Sequence, residues 1–393
     1  MLLPLVTVPF LARVLRPEGW GLVVFAQSFS GWMSLLLEYG FNLSATREIA
    51  RHREEPEELA RIISGVTGAV ALLALLSASA ALGALFTVPV FRQYPEYLGL
   101  AWLIGITQAA KPLWYFQGVE RLYRPAWLNV AARALATAGV FLWVRHSQDG
   151  WKPLVLQTAA GALVATISLF WMYREVSFTA PSLGRAVEAL RMGWSMFLFR
   201  GAVSLYTTAN AFILGLFVPP AMVAFYGGAE RLNKAVLAGL DPITQALYPR
   251  ITNLVATDEK RAARFARIGL LTVGGLGLAL GLAVMAFAPM AVRILLGSRY
   301  ESSTPVLRVL ALLIPLTALS NVIGVQWMLP LGMDKAFNKV IISAGVLNVV
   351  LAVFLAPIAG PLGMAASVVA AEAFVTIAMW WVLRSSGRHF WKT

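Results

Sequence analysis

Residues 338–383 read NKVIISAGVLNVVLAVFLAPIAGPLGMAASVVAAEAFVTIAMWWVL. This stretch holds two apolar segments, 338–357 and 362–383, and its ionisable side chains are Lys339 and Glu372. A helix of about 20 residues, rising 1.5 Å per residue, crosses a hydrocarbon layer about 30 Å thick. The stretch therefore predicts a pair of transmembrane helices.

The same pattern fills the rest of the chain. Of the 393 residues, 59% are hydrophobic and 13% are charged, whereas a soluble domain carries about 25% charged residues. We predict an all-α integral membrane protein with about twelve transmembrane helices, because ten further apolar segments lie at 1–12, 21–43, 62–87, 98–117, 125–144, 153–173, 192–217, 221–248, 267–289 and 305–330. Segment 1–12 is too short to span alone, so we expect the first helix to be incomplete, through truncation or a misassigned start.

The sequence lacks the residues and motifs that metal binding, nucleotide binding and common catalytic sites require. The chain has no cysteine and its three histidines lie far apart, so we expect no metal site. It contains no phosphate-binding G-x-x-x-x-G-K-[ST] loop, no D-x-D pair and no G-x-S-x-G elbow. We therefore predict neither an enzyme nor a bound cofactor, and any energy would come from the substrate gradient or from an ion such as H+ or Na+.

The basic residues are unevenly distributed along the chain, whose net charge is +13. If the N-terminus is cytoplasmic, the inside loops and C-terminal tail hold 19 Lys and Arg and the outside loops hold 8. By the positive-inside rule, this places both termini in the cytoplasm. Attraction to anionic phospholipids explains most of the excess, and no nucleic-acid partner is expected.

The two halves of the chain resemble each other. Residues 203 positions apart match in type, as in Pro17 and Pro220, Gln27 and Glu230, Glu38 and Asp241, Arg47 and Arg250, and Arg61 and Arg264. We predict six-helix bundles at 1–173 and 192–393, joined by a cytoplasmic linker at 174–191 and related by a pseudo-twofold axis along the membrane normal. Chance matching among apolar helices is the alternative.

Ionisable residues within predicted spans are the candidate site residues, since a charge in a span needs a partner or a wet cavity. Helical spacing gives three polar stripes: Arg200 with Ser204, Thr207 and Thr208; Arg133 with Asn129 and Thr137; and Glu230 with Lys234, Asp241 and Gln245. The substrate-binding candidates are Arg200, Arg133, Arg231, Lys234, Lys111 and Asn210. The coupling or gating candidates are Glu38, Glu230, Asp241 and Glu372.

Arg200 and Arg133 differ from the other candidates because neither has an acidic residue three or four positions away. An arginine without such a partner suits a bidentate grip on phosphate oxygens, which we place midway across the membrane for Arg200. The alternative is an ion pair between Arg200 and an acid on another helix, such as Glu372. For Glu230, Glu38 and Asp241 a purely structural role is an equal alternative to a functional one. Glu230 would form an ion pair with Lys234, and Glu38 and Asp241 would cap or pair near helix ends.

Four short motifs, in order along the chain, resemble those of a known family. They are LPLVTVPFLARVLRPEGWG at 3–21, EYGF at 38–41 followed by Arg47 and Glu48, WYFQG at 114–118, and YGGAERL at 226–232. Together they resemble the bacterial O-antigen and capsule polysaccharide flippases of the multidrug/oligosaccharidyl-lipid/polysaccharide exporter superfamily. The chain departs from that family in its short first helix and in reading Arg16-Pro17-Glu18 where Gly-Pro-Glu is usual.

The resemblance implies a location in the bacterial inner (plasma) membrane. It also implies a substrate, undecaprenyl pyrophosphate carrying an oligosaccharide, moved from the cytoplasmic to the periplasmic face through a cationic cavity. It allows ion-coupled antiport and cooperation with a polysaccharide polymerase or other assembly proteins. Two alternatives remain. One is a cation-coupled multidrug exporter of the same superfamily, which would favour an acidic cavity; the other is a membrane glycosyltransferase or polymerase, which would carry a large outside loop.

Overall fold

The computed structural model describes residues 3–208, 210–388 and 390, and the regular secondary structure of these residues is entirely helical. Among them, seven helical stretches are long and apolar enough to cross a membrane. They are Val6–Arg51, Pro56–Thr87, Tyr123–Trp143, Trp151–Glu175, Glu259–Leu295, Ser303–Met328 and Asp334–Ser385. An all-α, multi-span fold follows, as predicted, although the helices divide the chain differently from the twelve apolar segments.

Sixteen α-helices are defined in the described residues. In chain order they are α1 Leu3–Glu38, α2 Phe41–Arg51, α3 Pro56–Thr87, α4 Pro89–Gln93, α5 Pro95–Ala109, α6 Leu113–Gly118, α7 Tyr123–Trp143, α8 Trp151–Glu175, α9 Leu183–Thr207, α10 Asn210–Gly215, α11 Pro220–Leu237, α12 Asp241–Thr257, α13 Glu259–Leu295, α14 Ser303–Leu310, α15 Leu313–Ser320 and α16 Asp334–Ser385. A 3₁₀ turn, Ser298–Tyr300, precedes α14, and a π-helix, Asn321–Met328, follows α15.

Two of these helices each contain a pair of predicted segments. In α1 the chain bends at Arg16, whose φ of 59° and ψ of 173° are not helical, because the following proline disfavours helical geometry in the residue before it. In α16 the bend is at Gly360, with φ 54° and ψ −130°. A single residue therefore separates helices where the sequence predicted a loop.

Other predicted segments are broken, and prolines account for two of the breaks. Segment 98–117 divides into α5 and α6 at Lys111 and Pro112. Segment 221–248 divides into α11 and α12 around Gly239, with Pro242 in the first turn of α12. The predicted polar stripe from Glu230 to Gln245 on one helix is therefore wrong, because the chain leaves the helix between Lys234 and Asp241.

Segments 192–217 and 305–330 are also interrupted. The first forms α9 and α10. The second forms α14, α15 and the π-helix, and the break before α15 precedes Pro315, whose ring is incompatible with a helical carbonyl at Ala311. The stripe predicted from Arg200 to Thr208 keeps Arg200, Ser204 and Thr207 on α9, while Thr208 lies in a turn.

The chain divides into two compact units, 1–204 and 205–393. In the first unit, α1 packs along α5, α5 and α7 pack on α8, and α2 packs on α6. A buried cluster at one end of this unit includes Leu37, Tyr39, Phe41, Trp114 and Phe116. This cluster joins the turn after α1 to α6, and it therefore fixes the position of the polar residues beside that turn.

The second unit, 205–393, has its own core. Helix α13 packs on α15 and α14, and α11 packs on α14 and α16. Glycines make the α13–α15 contact close: a Cβ on Gly277 would lie 2.7 Å from the Cβ of Ala318, and one on Gly281 would lie 2.9 Å from Cδ of Pro315. The small-residue spacing in α13 is therefore explained by helix packing.

The loop between α7 and α8 is held by one carboxylate. Asp149 accepts hydrogen bonds of 2.9 Å from the backbone N–H groups of Arg145 and His146, and it pairs with Lys152 at 2.8 Å. Burial raises the pKa of Asp149, but the Lys152 ammonium and the two N–H groups outweigh that effect and lower the pKa to about 2.

We expect Asp149→Asn to destabilise the protein by about 1–3 kcal/mol at neutral pH, because the charge-assisted bonds to the loop are lost. A carboxylate whose pKa is lowered on folding stabilises above its unfolded value near 3.8 and loses that contribution as the pH falls toward 2. Unfolding of the purified protein, followed at pH 7 and again between pH 4 and 2, should show the difference between wild type and variant shrinking. A difference that stayed constant across this range would contradict the role of the carboxylate.

Candidate functional site

Arg200, on α9, forms an ion pair with Glu38 at the end of α1. The distance from Arg200 Nη1 to Glu38 Oε2 is 3.2 Å, and the two side chains are 34% and 17% exposed. The same carboxylate oxygen accepts a 3.0 Å hydrogen bond from Nδ2 of Asn42 on α2. The interpretation of Arg200 as lacking an acidic partner is therefore wrong: its partner lies on another helix, and it is Glu38 rather than Glu372.

The backbone turn after Glu38 positions this pair. Tyr39 and Gly40 both have positive φ, 47° and 79°, and the Tyr39 ring stacks on Phe197 with centroids 4.5 Å apart and planes 11° apart. A Cβ on Gly40 would lie 2.7 Å from the Cβ of Met196. Helix α9 thus packs directly on the turn, and Arg200 follows Phe197 by one helical turn.

The pair lies at the end of α1. From Pro17 to Glu38, α1 is about 33 Å long at 1.5 Å per residue, which matches the thickness of the hydrocarbon layer. Glu38 is the last residue of that stretch, and Arg200 is in contact with it. The position of Arg200 midway across the membrane stays a prediction.

The Lys111 ammonium is a second cation that interacts with Glu38. Its side chain is buried, with 6% of the residue exposed. Its Nζ donates to Oε1 of Gln108 at 2.6 Å and lies 3.5 Å from Oδ1 of Asn129. It also interacts electrostatically with Glu38. The break before Pro112 turns the chain at Lys111, so this ammonium is held by neutral amide oxygens rather than by a carboxylate in direct contact.

Arg133 completes the cluster in the first unit. It interacts electrostatically with Lys111 and follows Asn129 by one turn of α7, so the predicted Asn129–Arg133 stripe does face Lys111. Arg133 is exposed and forms no ion pair among the described residues. Three cations, Lys111, Arg133 and Arg200, and one carboxylate, Glu38, therefore give the cluster a net charge of about +2.

The second unit contains a separate polar group on α11. Glu230 and Lys234 form the i,i+4 ion pair that their spacing allows, at 3.0 Å. The Tyr226 hydroxyl lies 3.4 Å from Oε1 of Glu230, and Lys234 donates to the backbone carbonyl of Thr207 at 3.3 Å. Lys234 is thus already engaged twice by protein groups.

Asn210 and Arg231 are also partnered within the second unit. Nδ2 of Asn348, on α16, donates to Oδ1 of Asn210 at 2.9 Å, and both residues are buried. Arg231 interacts electrostatically with Glu230 and Tyr300. These contacts connect α10 with α16, and α11 with the 3₁₀ turn at Ser298–Tyr300.

Two acidic candidates stand apart from that group. Asp241 is exposed in the first turn of α12, where the helix dipole favours a negative charge. Glu372 is buried in α16 and lies 2.5 Å from the Ser320 hydroxyl. The predicted site residues therefore fall into a cationic cluster in the first unit and a mixed group with isolated acids in the second.

Residues 1–255, more than half of the chain, match the family described as polysaccharide biosynthesis protein. The chain belongs to that family. It is 29% identical over 392 residues to the "Putative O-antigen transporter" of Escherichia coli (strain K12), covering 98% of this chain and 93% of the relative. The protein of the same name from Shigella dysenteriae is 27% identical, covering 96% of this chain and 95% of the relative.

Solved structures show that the fold of this polysaccharide biosynthesis family member is shared more widely. An inward-facing multidrug resistance MATE family transporter of the MOP superfamily matches with a TM-score of 0.70 at 15% identity, covering 100% of this chain and 96% of that one. The lipid II flippase MurJ, in an inward closed conformation, matches with a TM-score of 0.60 at 12% identity, covering 97% and 87%. The family resemblance of the sequence motifs is confirmed, and the protein is a multi-pass membrane protein.

Sequence reasoning missed several partners of the candidate residues. Asn42, Gln108, Ser320 and Asn348 are neutral, and a search for charges in spans passes over them. The contacts of Ser320 and Asn348 join residues far apart in the chain, with 52 positions between Ser320 and Glu372 and 138 between Asn210 and Asn348. Helical spacing could have found the other two, because Asn42 lies four positions after Glu38 and Gln108 lies three positions before Lys111.

Proposed function

We propose that this protein is a flippase that moves an undecaprenyl-pyrophosphate-linked oligosaccharide, an O-antigen or capsule repeat unit, from the cytoplasmic to the periplasmic leaflet by alternating access. The cationic cluster of Lys111, Arg133 and Arg200 is the proposed site for the diphosphate. Relatives named as O-antigen transporters along nearly the whole chain support this substrate class.

Lys111 is the single observation that carries the proposal. An ammonium that is 6% exposed and held by amide oxygens is costly in a membrane unless a counter-charge reaches it. A diphosphate diester carries two negative charges, which match the net charge of about +2 of the cluster. Binding of the substrate would thus compensate the cost of burying Lys111.

The sign of this charge also separates the proposal from export of cationic drugs. A cationic ligand would need acidic groups in its site, and the acid of this cluster, Glu38, is engaged by Arg200 and Asn42. The guanidinium groups of Arg200 and Arg133 each offer a planar fork that matches phosphate oxygens. The cluster is therefore suited to an anionic head group.

The transport cycle that we propose uses the two halves as six-helix bundles of a twelve-span protein, related by a pseudo-twofold axis along the membrane normal. Its domains are 1–173 and 192–393, with 174–191 as a cytoplasmic linker. Coupling to H+ or Na+ would involve Glu38, Glu230, Asp241 or Glu372. The substrate would be handed to a polysaccharide polymerase or other assembly proteins, and anionic phospholipids would surround the basic loops.

A reconstituted assay tests the function. Liposomes containing the protein receive a prenyl diphosphate carrying one N-acetylglucosamine on one leaflet, and its arrival on the other leaflet is followed by accessibility to an impermeant lectin. We expect transfer that is faster than in protein-free liposomes and that is lost in Lys111→Met, which keeps the length of the side chain and removes its charge. Transfer at the protein-free rate, together with export of a cationic dye, would favour the drug exporter.

Labelling of single cysteines tests both the topology and the repeat. The native chain has no cysteine, so each introduced residue reports alone. We expect Gln148→Cys to react with an impermeant maleimide from the periplasmic side, and Glu55→Cys and Asp258→Cys, which lie 203 positions apart, to remain unlabelled in intact cells. Labelling of Glu55→Cys from the periplasmic side would show that the topology is the opposite of the one predicted. Opposite results for Glu55→Cys and Asp258→Cys would contradict the repeat.

A further inference from the structure

The carboxylate of Glu38 is shared by two donors. Nη1 of Arg200 lies 3.2 Å and Nδ2 of Asn42 lies 3.0 Å from the same oxygen, Oε2. Arg200 is 34% exposed, which leaves part of its guanidinium accessible. The pair is therefore suited to exchange.

We propose that Glu38 is an internal competitor for the anion site: its carboxylate occupies Arg200 when no substrate is bound, is displaced by the diphosphate, and returns to release it. This inference rests on the proposed function, since it assigns Glu38 a role in the cluster that binds the diphosphate. It makes Glu38 a positioning residue that sets affinity and release.

Asn42 provides the alternative partner that exchange requires. Its Nδ2 donates to Glu38 at 3.0 Å from α2, the helix that begins directly after the turn at Tyr39 and Gly40. When Arg200 turns toward a phosphate oxygen, Glu38 keeps this hydrogen bond and remains close to the Lys111 ammonium. The carboxylate therefore keeps a hydrogen-bond partner and stays in the site.

The charge balance shows why such a competitor is useful. Without Glu38, three cations would face a diphosphate diester that carries two negative charges. A site of that kind binds tightly and releases slowly, whereas transport requires both entry and exit. With Glu38 present, the cations and the substrate balance, and the carboxylate offers Arg200 an equivalent partner when the diphosphate leaves.

The experiment compares equilibrium binding and turnover in nanodiscs and liposomes, with prenyl diphosphate–N-acetylglucosamine as the probe. We expect Glu38→Gln to bind the probe about fivefold more tightly than wild type, since a partly exposed ion pair contributes up to about 1 kcal/mol. Maximal turnover should fall, because release slows, and KM should fall with it. Glutamine is isosteric and still accepts the bond from Asn42; Glu38→Ala, with the same expected gain in affinity, is the second variant.

Glu48→Gln is the matched control. Glu48 is 22% exposed, close to the 17% of Glu38, and it pairs with Arg47 and Arg51 on α2. We expect its affinity for the probe to equal that of wild type. An equal gain in Glu38→Gln and Glu48→Gln would show a general effect of charge and overturn the inference.

The outcomes also separate this inference from the proposed function. If wild type binds the probe, Arg200→Ala weakens binding, and neither Glu38 variant binds more tightly, Glu38 is a structural partner and the inference is wrong while the function stands. If wild type does not bind the probe and Arg200→Ala is no different, both are wrong.

Discussion

Replacing Arg200 by alanine is expected to abolish surface polysaccharide while leaving the protein inserted in the membrane. The change removes a charge-assisted hydrogen bond to phosphate, worth about 1.5–3 kcal/mol, so binding of the lipid carrier should weaken roughly tenfold or more. Arg200→Lys should recover only part of the activity, because an ammonium lacks the planar fork. Polysaccharide on the cell surface and the amount of protein in the membrane are measured together.

A second arginine supplies the control for this prediction. Arg61 pairs with Glu58 and Glu188 and is 53% exposed, so Arg61→Ala also removes ion pairs but leaves the cationic cluster intact. We expect it to keep surface polysaccharide near the level of wild type. Equal losses in Arg61→Ala and Arg200→Ala would show that the phenotype reports general destabilisation.

A charge reversal distinguishes binding from a purely structural ion pair. In the double variant Arg200→Glu with Glu38→Arg, the pair can form again with its charges exchanged between α9 and α1. If Arg200 only stabilises the first unit, the double variant should recover activity that Arg200→Glu alone lacks. If Arg200 holds the diphosphate, the exchange leaves the net charge of the cluster unchanged but puts a carboxylate where the phosphate oxygens bind, and the double variant stays inactive.

The apolar segments and the candidate site residues were predictable from the sequence, whereas the contact partners of those residues were not. Within the described residues, seven helical stretches are long and apolar enough to cross a membrane, because the hydrocarbon layer dictates such a length. Breaks within the predicted segments depend on single residues, such as Pro112 and Pro315, and bends depend on Arg16 and Gly360. The apolar character of a segment of about 20 residues does not reveal a change in the backbone conformation of one residue. The predicted segments therefore differ from the helices of the structure.

The candidate site shows the same limit. A test for charges three or four positions apart finds the Glu230–Lys234 pair, since both residues lie on one helix. It cannot find Glu38 as the partner of Arg200, which is 162 positions away in the chain, because that contact depends on how α9 packs on the turn after α1. Neutral groups such as Gln108 and Asn129 carry even less signal, although they hold Lys111.

Replacing Gly40 by alanine is expected to disturb both stability and transport, because this glycine combines two requirements. Its φ of 79° is unfavourable for a residue with a Cβ, at a cost of about 1–2 kcal/mol. The added Cβ would lie 2.7 Å from the Cβ of Met196 and 3.0 Å from the backbone N of Phe197, and overpacking of this kind costs about 1–3 kcal/mol. Together the free energy of unfolding should fall by about 2–5 kcal/mol.

The shift of α9 that relieves this overlap should also move Arg200 away from Glu38, so surface polysaccharide should fall even at a temperature where the variant stays folded. Gly332→Ala is the matched control, because Gly332 has a similar φ of 70° but open space around its Cβ. It should lose about 1–2 kcal/mol and keep its activity. Unfolding by denaturant in detergent micelles and surface polysaccharide in complemented cells measure the two effects, and equal stabilities for the two variants would mean that α9 does not pack on the turn as described.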